Sequence, residues 1–479
     1  MRKLLLAIIV VHFVTVLSAQ TFSVPKPYYS DAFDLIEKWM SGRVDFDRLP
    51  GIAFAVVHDQ DIIWSKGFGY ANVEMKVPME PSTICSICSI SKLFTSISVM
   101  QLVEKGKIHL DDSISAVLPS FNLQQQYPES GPITIRSLLT HSSGLPRESD
   151  YPYWSAPDFT FPTDKQVKER LGGQQTLYPA STYFQYSNLG MTILGEVVEK
   201  VSGMSYKQYV EENILQPLKL ESTHPYLPEK LWGGKMALGY SAIHRDGHRD
   251  REPFFQANGV APAAGFSSNA EDLARFASWQ LRLLGKGGKE IIRASTLKDM
   301  QRVQFLDPDW KTAYGLGFAI RESDGNTFVG HGGSCPGYLT TLTLDPKAKI
   351  AVVVMLNAQG ENPYTYSSAI SALLKKASQL DNLPPQDTTD LKPYLGNYDS
   401  YAFGSETIVF RWKGRLALVS LRTDDPAKDM QLYKHISGDT FKRIRSDETL
   451  GEEIRFERDA SGKVTRMWHF SNFNNKIRD

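Results

Sequence analysis

Two short apolar runs separated by a polar turn at positions 58–61 mark residues 52–64 as a pair of strands joined in a hairpin. Beyond Ser89 the apolar positions recur at helical spacing (Ile90, Leu93, Phe94, Ile97, then Met100 and Leu102) and cover most of the circumference, which predicts a largely buried helix. Lys105 and Gly106 supply its stop. Further helices are predicted over 188–202, 206–214, 269–284 and 364–378, with Ser268 and Glu271 read as the capping box of the third. Residues 338–344 read as a strand, and the β-branched run 350–356 as a strand buried on both faces.

Past residue 380 the pattern changes. Residues 383–393 (LPPQDTTDLKP) are Pro- and Thr-rich without periodicity, as in a linker. Beyond them come short strands and turns. One hairpin is centred on Lys413-Gly414, and another joins 454–457 to 464–470. The predicted organisation is a mixed α/β (α+β) domain over 30–380, a linker over 381–393 and a small all-β, barrel-like domain over 394–479. At the other end, Arg2 and Lys3 precede a mostly apolar run, 4–17, followed by Ser18, Ala19 and Gln20. That run is short for a membrane span and suits a signal peptide, residues 1–19. The expected product is exported, periplasmic or extracellular, and not stably inserted in a membrane.

At 479 residues the chain exceeds one ordinary core. Lys+Arg and Asp+Glu both total 53, so no net field draws nucleic acid or an anionic membrane. A small-molecule or peptide substrate bound at a local site is the expected partner.

The stretch ICSICSISK (84–92) contains two overlapping chemistries. Cys85-x-x-Cys88 suggests a redox dithiol or half of a metal site. However, the only other cysteine is Cys335, no second Cys pair stands at zinc spacing, and no thioredoxin-like context surrounds the motif. The cysteines are therefore read as small buried apolar residues, with no metal and no cofactor expected. Ser89-x-x-Lys92 suggests a nucleophile with its base. On a helix the i, i+3 spacing puts both on one face, and a helix N-terminus at Ser89 favours a developing oxyanion. The pattern alone is weak, because Ser295 and Lys298 also satisfy it. It needs partners. Tyr186-Ser187-Asn188 is one, with a decoy at Tyr70-Ala71-Asn72; His331-Gly332-Gly333-Ser334 is another, its glycines allowing a substrate to lie close.

The order Ser89-x-x-Lys92, Tyr186-x-Asn188, His331-Gly332-Gly333 resembles the serine β-lactamase and penicillin-binding-protein family, above all class C β-lactamases and related esterases and D-amino-acid peptidases. The resemblance covers about 35–378, with supporting phrases LLTHSSGLP (138–146), AYGLGFAI (313–320) and GHGGSCPGY (330–338). It implies a β-lactamase-like antiparallel sheet flanked by helices, with an all-helical subdomain. The C-terminal domain resembles the lipocalin-like β domains appended to some members, with three roles open: covering the cleft, binding a ligand, or association.

By the same resemblance Ser89 is the acylated nucleophile, Lys92 and Tyr186 share acid–base duty, and Asn188 holds the substrate amide or the lysine. The N–H groups of Ser89 and Ser334 form the oxyanion hole, and His331 faces the substrate. Which of Lys92 and Tyr186 takes the proton is left open. His331 stands where β-lactamases usually carry lysine; a mostly neutral residue there favours an esterase or peptidase over efficient β-lactam hydrolysis. Cys88 stands where Gly or Ala is common. Cys335, next to the implied donor Ser334, lies near the oxyanion hole, and whether the two cysteines are bonded is left open.

The implied activity is that of a serine hydrolase cleaving a small ester or amide. The alternatives are a D-amino-acid or cell-wall peptidase, a weak β-lactamase, or a non-catalytic binding or sensor protein on the same scaffold. The intact set Ser89, Lys92, Tyr186 and Asn188 argues against the last. Elsewhere, HRDGHRD (244–250) is read as a solvent-facing hairpin about Asp246-Gly247 and not as a metal site. His141 is read as a structural loop residue. The aromatic loop 151–161 either lines the cleft or packs.

Overall fold

The computed structural model describes residues 29–323, 325–379, 389–399 and 404–478. The predicted signal segment and most of the predicted linker lie outside the described residues. Among the described residues no helix is long and apolar enough to cross a membrane.

The first hairpin is β1 (Gly51–His58) with β2 (Asp61–Asn72), followed by β3 (Val77–Pro78) and β4 (Cys85–Cys88). β5 (Gly239–Tyr240) and β6 (Arg251–Glu252) form an outlying pair, and β7 (Phe266–Ser268) pairs with β4. β8 (Phe305–Leu306), β9 (Ala313–Tyr314), β10 (Ala319–Ser323), β11 (Asn326–Cys335), β12 (Tyr338–Asp345) and β13 (Ile350–Leu356) complete a nine-stranded sheet. Its order is β3-β2-β1-β13-β12-β11-β10-β9-β8. The pairing is antiparallel, as the resemblance implies.

The continuous apolar runs of β1 and β13 follow from burial on both faces. Ala53, Ala55, Val353 and Met355 join one core, while Ile52, Phe54, Val352 and Val354 join the other. The longer helices are α1 (Ser30–Phe46), α2 (Ser91–Glu104), α3 (Asn188–Ser202), α4 (Ala270–Lys286) and α5 (Pro363–Ser378). α1 and α5 cover one face of the sheet and α4 the other, while α2 and α3 pack together beside α4. The buried helix predicted after Ser89 is α2, with every residue from Ser91 to Leu102 buried.

Two local expectations change. The cap of α4 is Asn269, whose side chain accepts from the Asp272 N–H at 2.8 Å. Ser268 instead stays in β7 opposite Cys85, its hydroxyl 2.8 Å from that of Thr223. The helix predicted over 206–214 is α-helical over Tyr206–Val210 and then widens to a π turn over Glu211–Leu215. Pro217 has no N–H for the Asn213 carbonyl, which accepts from Gln101 Nε2 at 3.0 Å.

The C-terminal strands are β14 (Gly396–Tyr398), β15 (Thr407–Trp412), β16 (Arg415–Ser420), β17 (Gln431–Ser437), β18 (Thr440–Ile444), β19 (Leu450–Arg458), β20 (Val464–His469) and β21 (Asn472–Arg478). They close into an eight-stranded barrel. Alternation along β15 divides its side chains. Val409 points into the barrel core with Leu416, Phe441 and Phe456, while Ile408, Phe410 and Trp412 join the core beneath α1 and α5. Trp39 Nε1 donates to the Thr423 carbonyl at 2.9 Å and Lys376 Nζ to the Ala427 carbonyl at 2.8 Å. The barrel is thus seated on the α1/α5 layer, across the sheet from the core that receives α2.

Candidate active site

β4 delivers the chain to a tight turn at Ser89-Ile90, and α2 begins at Ser91. Cys88 takes φ +50°, a left-handed conformation unusual for a residue with a side chain. Ser91 Oγ ties the turn down by donating to the Cys88 carbonyl at 2.5 Å and accepting from the Phe266 N–H at 3.0 Å. Ser89 is left partly exposed just ahead of the helix, with Lys92 buried one turn along.

Lys92 Nζ lies 3.0 Å from Ser89 Oγ, 2.8 Å from Asn188 Oδ1 and 2.7 Å from the Ala263 carbonyl. Those last two atoms only accept, so they take two of its hydrogens. The third direction, toward Ser89, carries either a hydrogen or a lone pair. Burial decides between them: it pulls the Lys92 pKa well below that of an ordinary lysine, against a smaller opposing effect of Glu148. That lowering favours the neutral amine, whose lone pair then faces the Ser89 hydroxyl. Tyr186 reaches the same hydroxyl by hydrogen bond, and burial raises its phenol, keeping it protonated.

Tyr186-Ser187-Asn188 is held by the loop 138–148. Gln185 N–H donates to the His141 carbonyl at 2.7 Å, Ser187 Oγ to the Pro146 carbonyl at 2.7 Å, and Asn188 N–H to the Arg147 carbonyl at 2.8 Å. His141 is buried, its ring centroid 4.4 Å from that of Tyr186, and its Nδ1 accepts from the Ser187 N–H at 3.2 Å. It is therefore a loop residue that also backs the phenol.

On the opposite wall, β10 pairs with β11 only as far as Gly330. Among the described residues no strand pairs with the β10 side of residues 331–335. A Cβ on Gly333 would lie 2.3 Å from the Ile87 carbonyl oxygen and 3.1 Å from Cys88 Cβ, so glycine is what lets β11 approach β4. Cys88 and Cys335 are joined there by a disulfide. This corrects the reading of Cys88 as a simple space-filling residue and answers the question left open about Cys335; Cys85 remains free and buried. His331 Nδ1 is 2.6 Å from the Gly332 carbonyl and must donate to it, so Nε2 accepts from the Tyr314 hydroxyl at 2.8 Å. Burial pulls its pKa down to about 3, so the imidazole is neutral.

The three motifs predicted from sequence thus meet around one hydroxyl, and residues 36–375 match the Beta-lactamase family. The chain belongs to the Beta-lactamase family. It is similar to Beta-lactamase-like protein 2 of Dictyostelium discoideum, with 27% identity over 351 residues, 72% of this chain and 62% of that one. The chain thus spans less than two thirds of that relative's length. Penicillin-binding protein 4* of Bacillus subtilis is 27% identical over 352 residues, 69% of this chain and 72% of that one. The solved octameric penicillin-binding protein homologue from Pyrococcus abyssi superposes with a TM-score of 0.64 at 26% identity, covering 93% of this chain and 100% of that one.

Both decoys fall away from this Beta-lactamase site. Ser295 and Lys298 lie exposed on the helix Ala294–Met300, and Tyr70 and Asn72 belong to β2. Sequence reading missed Glu148. Its two carboxylate oxygens accept from Asn188 Nδ2 at 2.9 and 3.0 Å, and Tyr153 OH donates to it as well. Because Glu148 takes the amide nitrogen, Asn188 must turn its oxygen to Lys92. The aromatic loop packs: Tyr153 is buried, Trp154 meets Phe161 edge-on, and Phe161 stacks on Phe255. An acidic residue just after LLTHSSGLP carries no spacing signal toward Asn188, 40 positions on.

Proposed function

We propose that this protein is an exported serine hydrolase that cleaves a small ester or amide through an acyl-enzyme on Ser89. The observation that carries the reading is the placement of Ser89 Oγ between the buried Lys92 amine, 3.0 Å away, and the Tyr186 phenol. In the proposed reaction neutral Lys92 takes the Ser89 proton as Oγ attacks the substrate carbonyl. The N–H groups of Ser89 and Ser334 stabilise the oxyanion. Tyr186 passes a proton to the leaving alcohol or amine and regains one from Lys92. Water then attacks the ester carbonyl, giving its proton back through the same pair, and Ser89 is released.

A neutral His331 offers no fixed cation to a substrate carboxylate, which supports an ester or simple amide over a β-lactam. A disulfide beside the nucleophile supports export, since such bonds persist in oxidising compartments. A peptide ending in D-residues is the second reading, favoured by similarity to proteins named as penicillin-binding proteins. The test is steady-state hydrolysis of p-nitrophenyl acetate, D-alanyl dipeptides and a penicillin by wild type and Ser89→Ala. Ester turnover that falls to background in the variant supports the reading. Turnover retained in Ser89→Ala, or absent from the folded wild type with every substrate, overturns it.

A further inference from the structure

The segment 244–250 forms a hairpin tip, as its sequence predicts, between β5 and β6. His244 N–H donates to the His248 carbonyl at 2.8 Å and Gly247 N–H to the His244 carbonyl at 2.9 Å. Gly247 takes φ +88° at the turn, a conformation that favours glycine. The turn stacks the two imidazoles with centroids 4.4 Å apart. Their Nε2 atoms both face one carboxylate: His244 Nε2 is 3.0 Å from Asp250 Oδ2, and His248 Nε2 is 3.4 Å from Asp250 Oδ1. Donor atoms from these three exposed residues all lie within 4.8 Å of one another.

We propose that this tip binds one divalent transition-metal ion of the zinc type, through His244 Nε2, His248 Nε2 and an Asp250 carboxylate oxygen. Zinc bonds of about 2.0–2.1 Å at tetrahedral angles put neighbouring ligand atoms roughly 3.3–3.4 Å apart, so the present His–Asp separations need little change, while the stacked imidazoles must tilt for both Nε2 atoms to converge on the ion. Two imidazoles and a carboxylate suit zinc, copper or nickel, whereas calcium and magnesium take oxygen ligands. Asp246 adds the outer partner. Its Oδ1 lies 2.5 Å from His248 Nδ1, which holds the proton there and frees Nε2 as a ligand. Water completes the coordination.

The hairpin is held firmly at its base. Arg249 lies along the body of the protein with only 7% of its side chain exposed, donating to the Ser241 carbonyl at 2.9 Å and the Gln359 carbonyl at 2.7 Å. An ion at the tip therefore meets ligands whose backbone is already in place, which lowers the ordering cost of binding.

The test uses the full chain, tag-free and stripped of metal, titrated with zinc sulfate against a chromophoric chelator. Cobalt(II) absorption is recorded in parallel. The expected result is one ion bound to the wild type and to Ser89→Ala, none to the double variant His244→Ala/His248→Ala, and binding about 10–100-fold weaker in Asp246→Asn. Near-ultraviolet circular dichroism checks that each variant is folded. No one-to-one zinc binding by the wild type, or binding unchanged in either the double variant or Asp246→Asn, overturns the proposal.

Discussion

Cys88 and Cys335 bridge β4 and β11 through a disulfide whose Cα atoms are 5.7 Å apart, across 247 residues of sequence. Each immediately adjoins a residue proposed to donate to the oxyanion, Ser89 and Ser334. The bond therefore fixes the gap between the two donors. The unfolded, unreduced protein is expected to show one titratable thiol, and three after reduction. The native protein is expected to show none, because burial pushes the Cys85 thiol up to about 12. Replacing both cysteines by Ala is expected to cost about 2–4 kcal/mol in denaturant unfolding and to lower kcat. Three thiols before reduction would contradict the link.

Glu148 reaches Ser89 through Asn188 and Lys92. In Glu148→Ala the Asn188 amide is free to turn its nitrogen toward Lys92, which then loses an acceptor. Leaving a buried donor without its acceptor costs about 1–3 kcal/mol, so kcat/KM is expected to fall roughly 10–100-fold. Glu148→Gln, which still offers one acceptor, should fall less. Steady-state kinetics check this. Equal rates in wild type and Glu148→Ala would remove Glu148 from the account.

Lys92 links the chemistry to stability. Its folded pKa lies well below the ordinary 10.5, so between those two values the unfolded chain holds one proton more than the folded chain. Stability from this group therefore rises with pH across that window and is lost as pH falls through it. Against Lys92→Met, the wild type should gain up to about 1.4 kcal/mol per pH unit. Urea unfolding of both proteins, stepped downward from about pH 10, measures the difference, and a flat difference just below the ordinary lysine pKa contradicts a lowered Lys92.

Patterns local in sequence are legible in the chain itself. The double-faced strand β13, the buried helix after Ser89 and the C-terminal hairpins all follow from apolar spacing, and the motif order names the residues that meet at Ser89. What is not legible depends on contacts between distant positions. Glu148 meets Asn188 because a loop crosses the start of α3; the Ala263 carbonyl that holds Lys92 is a backbone atom without side-chain signature; the partners of the disulfide sit in separate strands. The seating of the barrel on α1 and α5 is equally silent, since the outward apolar positions of β15 read in sequence like any strand.

The central claim is that the Ser89 hydroxyl is the nucleophile, activated by neutral Lys92. Intact-mass spectrometry after exposure to a fluorophosphonate, and separately to a penicillin, tests it most directly. The account predicts a single fluorophosphonate adduct that maps to Ser89, is absent in Ser89→Ala and forms far more slowly in Lys92→Met. An adduct on another residue, or none at all on folded wild-type protein, would contradict it.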